Sequence, residues 1–293
     1  MGYAWEKLDI DVDKLVTNAE VMMREEKKKY YKNLKRGHHE PIIKQDLLED
    51  IKHGNFIVCL VPKMDVQTEM IAAAEAVVRY HHKDLGIVNP GKYINLLEET
   101  KLSHYLDLYV FEEVCKTLHR WELEGIPMIP VAVNFAGATL RQESVADKMM
   151  KIIDKYHVRC EYLEVEVSES GNDMNQEMLA ETSGKIRKAN VRVILDHFGA
   201  KDSSFSILSL MEFDALKLDK SLITNIVGNS RSRIVAQAVI EICRQLGASV
   251  EASGVETQDQ LNVLGELGCD HVQGELFNKP ITIETFEVRY LKG

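Results

Sequence analysis

The chain has 293 residues, 45% of them hydrophobic and 28% charged, with a formal net charge of −10. That length suits one large domain with a small appendage, and the acidic balance argues against DNA or RNA binding, which needs a basic surface to neutralise phosphates. No apolar run reaches the length of a membrane helix, and the N-terminus lacks the apolar core of a signal peptide.

The cysteines at 59, 115, 160, 243 and 269 are scattered and odd in number. They predict reduced thiols in a cytoplasmic protein rather than disulfides or a zinc site.

Residues 11–32 read as one helix, with Leu15, Ala19, Met22 and Met23 on one face. A basic, polar stretch follows, from Asn33 to His39. After Pro41 the pattern changes to short β-branched runs alternating with amphipathic helices. The runs are Phe56–Leu60, Pro130–Phe135, Tyr162–Val167, Val191–Leu195, Ala215–Leu218, Ser249–Ala252 and His271–Val272. The helices are Tyr105–Glu124, Ser144–Tyr156, Glu177–Ala189, Ile234–Leu246 and Gln258–Leu267, with Gly125, Gly247 and Gly268 where helices should stop. The alternation predicts parallel strands with helices packed outside.

Most of these strands end in a polar residue: Asn134, Glu166, Asp196, Lys217 with Asp219, and Gln273. A (β/α) barrel brings the C-terminal ends of all its strands to one mouth, whereas an open sheet would spread them along a crevice. No glycine-rich phosphate loop follows an early strand, which disfavours a dinucleotide fold. The predicted class is therefore α/β, a TIM-like barrel with a short N-terminal helical extension. Carboxylates with an amide oxygen suit Mg²⁺ or Mn²⁺, and a neighbouring lysine suits a phosphate or a metal-bound water. The set points to metal-assisted phosphodiester hydrolysis.

These residues also resemble a family. Glu75-Ala76-Val77 followed by Arg79 is similar to the signature of EAL domains, which hydrolyse cyclic di-GMP. Val131–Asn134, Leu163–Ser170, Asp196-His197-Phe198-Gly199, Leu216–Asp219, Gly254–Thr257 and Val272–Gly274 resemble its further motifs, in the family's order, from about residue 45 to 288. The resemblance implies an EAL-type barrel with cyclic di-GMP across its mouth and two metal ions activating water. It implies Glu75, Asn134, Glu166 and Asp196 as metal ligands and Lys217 as the lysine that orients the water. It implies Arg79, Gln273, Glu256 and Asp219 around the nucleotide, and Glu169 as a brace for the loop after Asp196.

The sequence departs from the family pattern at several of these places. His197 stands where a second aspartate is usual, and Ser253 where a glutamate is. Imidazole offers a single lone pair and no negative charge, and serine supplies no carboxylate. Val61 replaces a glutamine before Pro62, Ala200-Lys201-Asp202 replaces small and aromatic residues, and Glu275 replaces an aromatic. Two carboxylates are thus missing, so a metal pair, and with it hydrolysis, is expected to be weak or absent.

Three readings stay open: a receptor or regulatory module for cyclic di-GMP, a nucleotide-independent protein-interaction domain, and a working phosphodiesterase with an altered metal site that employs His197. The segment 1–40 resembles the end of a GGDEF domain without its signature, and 41–293 the EAL domain, as in a tandem GGDEF-EAL protein. A protein partner is expected, and the resemblance implies homodimerisation through helices near the altered loop.

Overall fold

The computed structural model describes residues 47–82, 86–88, 90–168, 176–200 and 205–292. The helix expected over 11–32, the boundary expected near residue 40, Glu169 and the Lys201-Asp202 pair lie outside the described residues. The chain divides into Met1–Asp50 and Ile51–Gly293, and the second unit carries the barrel.

The strands are β1 (Phe56–Asp65), β2 (Ile71–His82), β3 (Gly86–Val88), β4 (Val131–Phe135), β5 (Leu163–Ser168), β6 (Arg192–Phe198), β7 (Ala215–Leu218), β8 (Ser249–Ser253), β9 (His271–Gln273) and β10 (Ile281–Thr282). The order β1-β9-β8-β7-β6-β5-β4-β2 closes on itself through a β1–β2 pairing, giving an eight-stranded barrel, with β3 and β10 added at its margins. The longer helices are α1 (Pro90–Glu99), α2 (Ser103–Glu124), α3 (Val145–Tyr156), α4 (Gln176–Lys188), α5 (Ser230–Leu246) and α6 (Gln258–Leu267).

The structure corrects the all-parallel expectation. β1 runs antiparallel to both β2 and β9, while the other barrel neighbours are parallel. The reason is the connection from β1 to β2, residues 66–70, which is too short for the crossover that parallel strands need. The Asp65 side chain holds that turn, accepting from Gln67 N at 3.0 Å, Thr68 N at 2.8 Å and Thr68 Oγ1 at 2.9 Å.

The helix ends behave as read. Gly125, Gly247 and Gly268 cap α2, α5 and α6 in left-handed conformations, which glycine adopts without a Cβ penalty. α5 begins at Ser230 rather than the expected Ile234, because Asn229 accepts from the backbone N–H groups of Arg231 and Ser232.

The two faces of the strands differ in kind. Outward positions such as Val131, Val133, Leu163, Val165, Val193, Leu195, Leu216 and Val250 are buried against the helices. Inward positions alternate with them; beside Val61, Ala73, Ala132, Ile194 and Ala215 they include Lys63, Glu75, Glu164, Glu166, Asp196, Lys217 and Glu251, all buried. The barrel interior is therefore an ionic core inside an apolar shell, where TIM barrels ordinarily pack branched apolar side chains.

Candidate active site at the barrel mouth

Strand alternation brings the expected residues together. Glu75 on β2 is the hub. Its Oε1 accepts from Asn134 Nδ2 at 2.7 Å, and its Oε2 accepts from Lys217 Nζ and from Gln273 Nε2, each at 2.7 Å. Lys217 also donates to Glu166 Oε2 at 2.9 Å and lies 4.0 Å from Asp196 Oδ1. Residues from β2, β4, β5, β6, β7 and β9 thus meet at one end of the barrel.

Burial works against the Glu75 carboxylate, but Lys217 and Lys63 outweigh it and hold its pKa at about 2. Burial, then repulsion from Glu75, push Glu166 up to about 7. Burial opposes the charge on Lys217, yet Asp196, Glu166 and Glu75 keep it protonated, well above the usual lysine range.

A second cationic group lies on β1. Lys63 Nζ is 2.9 Å from Glu166 Oε1, 2.9 Å from Glu251 Oε2 and 3.3 Å from Glu164 Oε2. Its contacts to Glu166 and Glu251 are ion pairs at angles unsuited to hydrogen bonds. Glu164 also accepts from Arg192 Nη1 at 2.5 Å. Sequence reading missed Lys63, Glu164 and Glu251. The signal was present in Leu163-Glu164-Val165-Glu166, whose period of two places both glutamates on one face.

The far side of the mouth is built differently. The β6–β7 register shifts between Leu195 and Phe198. At that bulge His197 adopts φ 59°, in the left-handed region that histidine visits more often than most residues. Its Nδ1 is 3.2 Å from Asp219 Oδ2 and its Nε2 is 3.4 Å from Asp196 Oδ2. Asp219 also caps the short helix Lys220–Ile223 through Ser221 N. Ser253 donates to Leu218 O at 3.0 Å, and Glu256 pairs with Lys220 on the surface. Val61 is buried on β1 opposite Glu75, and Glu275 pairs with Lys279 at 3.3 Å.

Gln273 is placed by a close backbone crossing. A Cβ on Gly274 would sit 2.0 Å from Val255 O, so only glycine lets Val255 N donate to Gln273 O at 3.0 Å. Gln273 Oε1 is buried and has no hydrogen-bond partner among the described residues.

The donor types at Glu75, Asn134, Glu166 and Asp196 are those a hard cation prefers. Their disposition does not fit one. Both Glu75 oxygens are engaged, Lys217 Nζ stands between Glu75 and Glu166, and Asp196 Oδ1 accepts from His197 N at 2.7 Å. Among the described residues no three His, Cys, Asp or Glu side chains are disposed to hold a metal ion.

β2 continues past its β4 pairing at Ala74–Ala76 and carries Arg79 beyond the mouth. Arg79 shares Glu75's face, about 13 Å further along. It lines a cavity of about 450 Å³ with Val77, Tyr93, Ile94, Asn134 and His197. Its guanidinium donates to Val78 O at 2.9 Å and makes no ion pair among the described residues. Asp107, also lining the cavity, accepts from Ala136 N at 3.0 Å and Thr139 Oγ1 at 2.5 Å. It thereby fixes the turn after Asn134. Burial raises its pKa to about 7 against these two hydrogen bonds.

A closed barrel with strand-end carboxylates around a lysine defines a TIM-like domain with a polar site at its mouth. The EAL domain family matches residues 44–280, and the chain belongs to that family. The signaling protein YkoW of Bacillus subtilis is 32% identical over 241 residues, covering 82% of this chain and 30% of YkoW. The cyclic di-GMP phosphodiesterase NbdA of Pseudomonas aeruginosa is 30% identical over 254 residues, covering 87% of this chain and 32% of NbdA. The chain spans about a third of the length of these curated relatives.

Among solved structures, the PaMucR phosphodiesterase in complex with c-di-GMP gives a TM-score of 0.76 at 24% identity, covering 83% of this chain and 98% of that one. The FimX EAL domain from Pseudomonas aeruginosa bound to c-di-GMP gives 0.73 at 16% identity, covering 84% and 97%. These likenesses establish the shared fold.

Proposed function

We propose that this domain is a cyclic di-GMP receptor, a regulatory module that binds the nucleotide without hydrolysing it. The observation that carries the reading is Arg79, a guanidinium that makes no ion pair among the described residues, on the wall of a cavity that reaches Asn134 and His197. Such a group pairs readily with phosphate. Relatives and neighbours of the chain include cyclic di-GMP phosphodiesterases and EAL domains bound to c-di-GMP.

Absence of hydrolysis follows from chemistry at two positions. His197 and Ser253 bring no carboxylate, and both side chains already contact neighbours. Neither side chain can balance a dication or act as a carboxylate base toward water. Losing one electrostatic element of a catalytic site costs about a hundredfold or more in rate. We further propose that the module works in the cytoplasm as part of a longer GGDEF-like tandem chain and signals through a protein partner.

Calorimetry with cyclic di-GMP, with and without Mn²⁺, together with chromatography of the nucleotide after incubation, tests the reading. Saturable binding and intact cyclic nucleotide are expected. Linear product formed at the rate of an intact phosphodiesterase sinks it, and absence of binding leaves the nucleotide-independent interaction domain.

A further inference from the structure

We infer that Lys217, backed by Lys63, is a built-in cation. The mouth carboxylates take ammonium groups of the chain as counter-charges in the place of divalent ions, so a nucleotide lying across the mouth needs no metal. The ligand comes from the reading above; the charge arrangement stands on geometry alone.

Three carboxylates surround one ammonium. Lys217 Nζ lies 2.7 Å from Glu75, 2.9 Å from Glu166 and 4.0 Å from Asp196. The second Glu166 oxygen faces Lys63 at 2.9 Å. The side chains of Glu166, Lys63 and Lys217 are 0%, 1% and 4% exposed, so solvent cannot supply their counter-charge. Desolvated carboxylates need partners from within the protein, and here each of Glu75 and Glu166 has one.

A divalent ion bridging those same oxygens at about 2.1 Å would have to expel Lys217. The two positions opposite supply no replacement charge, because His197 is an imidazole and Ser253 a hydroxyl already donating to Leu218 O. β8 does carry a carboxylate, but it is Glu251, two residues earlier on the same strand face, and it meets Lys63. The acid sits one pleat below the position where a mouth-bound ion would need it.

The test uses the whole chain after EDTA treatment, with Mn²⁺ binding followed by electron paramagnetic resonance and cyclic di-GMP binding by calorimetry. The wild type is expected to leave Mn²⁺ free and to bind nucleotide equally with and without EDTA. Lys217→Met is expected to tighten Mn²⁺ binding at least about tenfold, by removing the competing charge. Adding Glu166→Gln to that variant is expected to abolish the gain. Should Lys217→Met fail to fold, ¹⁵N spectra of lysine ammonium groups in the wild type decide: signals that survive Mn²⁺ support the inference.

Tight Mn²⁺ uptake by the wild type, or nucleotide binding that disappears with EDTA, overturns it. Loss of nucleotide binding with Mn²⁺ still excluded overturns the receptor reading alone.

Discussion

The two halves of the barrel mouth are made of similar residue types but held in different ways. On one half, Glu75, Glu166 and Lys217 are buried and bonded across the barrel between strands distant in sequence. On the other, the His197 side chain is 55% exposed, Glu256 is 48% exposed and Ser253 is half-buried, each tied to its own or an adjacent loop. The main departures from the EAL pattern, at 197 and 253, fall in the second half. A change there leaves no buried charge unpaired, whereas a change in the first half would. His197 and Ser253 thus stand where the fold constrains a side chain less than it does at Glu75, Glu166 or Lys217.

The sharpest way to break this contrast is Lys63→Met, which strands Glu164, Glu166 and Glu251 without their shared cation. Removing one partner of a buried ion cluster costs about 3–5 kcal/mol, read as a lower urea midpoint with an unchanged slope. Adding Glu251→Gln is expected to recover part of the loss. A cost under about 1 kcal/mol, the range of exposed pairs, would mean that the two halves are not differently held.

Next in size is Arg79→Met. It removes charge-assisted hydrogen bonds to phosphate, worth about 1.5–3 kcal/mol, so cyclic di-GMP affinity should fall by roughly ten- to a hundredfold. Stability should be unchanged, because Arg79 makes no ion pair among the described residues. An unchanged affinity would remove the main support for a ligand in this cavity.

Asp107 sharpens the comparison through pH. Its folded pKa is raised from 3.8 to about 7. Its contribution is therefore fully present below pH 3.8 and is lost as pH rises through 7. Glu287 has the opposite sign. Burial opposes its charge, but Arg120, Lys292 and Trp121 hold it at about 2, so its contribution is present above pH 4.5 and disappears as pH falls through 2. Asp107→Asn keeps an acceptor for Ala136 N and Thr139 Oγ1, and is expected to flatten the fall in stability between pH 4 and 7. An unaltered profile would show that Asp107 ionises normally.

Much of this architecture was legible in the sequence. α6 was read with its boundaries as found, and the glycine stops of α2, α5 and α6 were placed by the chemistry of helix ends. Glu166 and Asp196, two strand ends beside Lys217, are legible from their polarity, whereas Glu75 is legible only through the family resemblance. β2 does not read as a strand in the sequence because Glu75, Arg79, His81 and His82 interrupt its apolar run. The ionic core was illegible for a related reason. A charge at every second position ordinarily marks the solvent face of a strand, and only barrel closure turns that face inward. Lys63 and Glu251 have partners far away in the chain, so no local pattern announces them. The antiparallel β1 follows from a short connection whose weight was not recognised.

The smallest effect belongs to the exposed half. The Glu256–Lys220 pair joins side chains 48% and 59% exposed, and pairs of this kind contribute about 0–1 kcal/mol. Lys220 has a second anchor. Its Cβ, Cγ and Cδ lie so close over Gly254 that a Cβ there would meet them at 2.5–2.8 Å. Apolar packing of the stem, rather than the ion pair, keeps the lysine in place. Glu256→Gln should therefore shift the urea midpoint by less than about 1 kcal/mol, while Gly254→Ala should cost more, because its φ of 76° and the lysine stem both oppose a side chain. If Glu256→Gln proved as costly as Lys63→Met, the loop half of the mouth would be as tightly bound into the fold as the buried half. Positions 197 and 253 would then be no less constrained than the buried carboxylates.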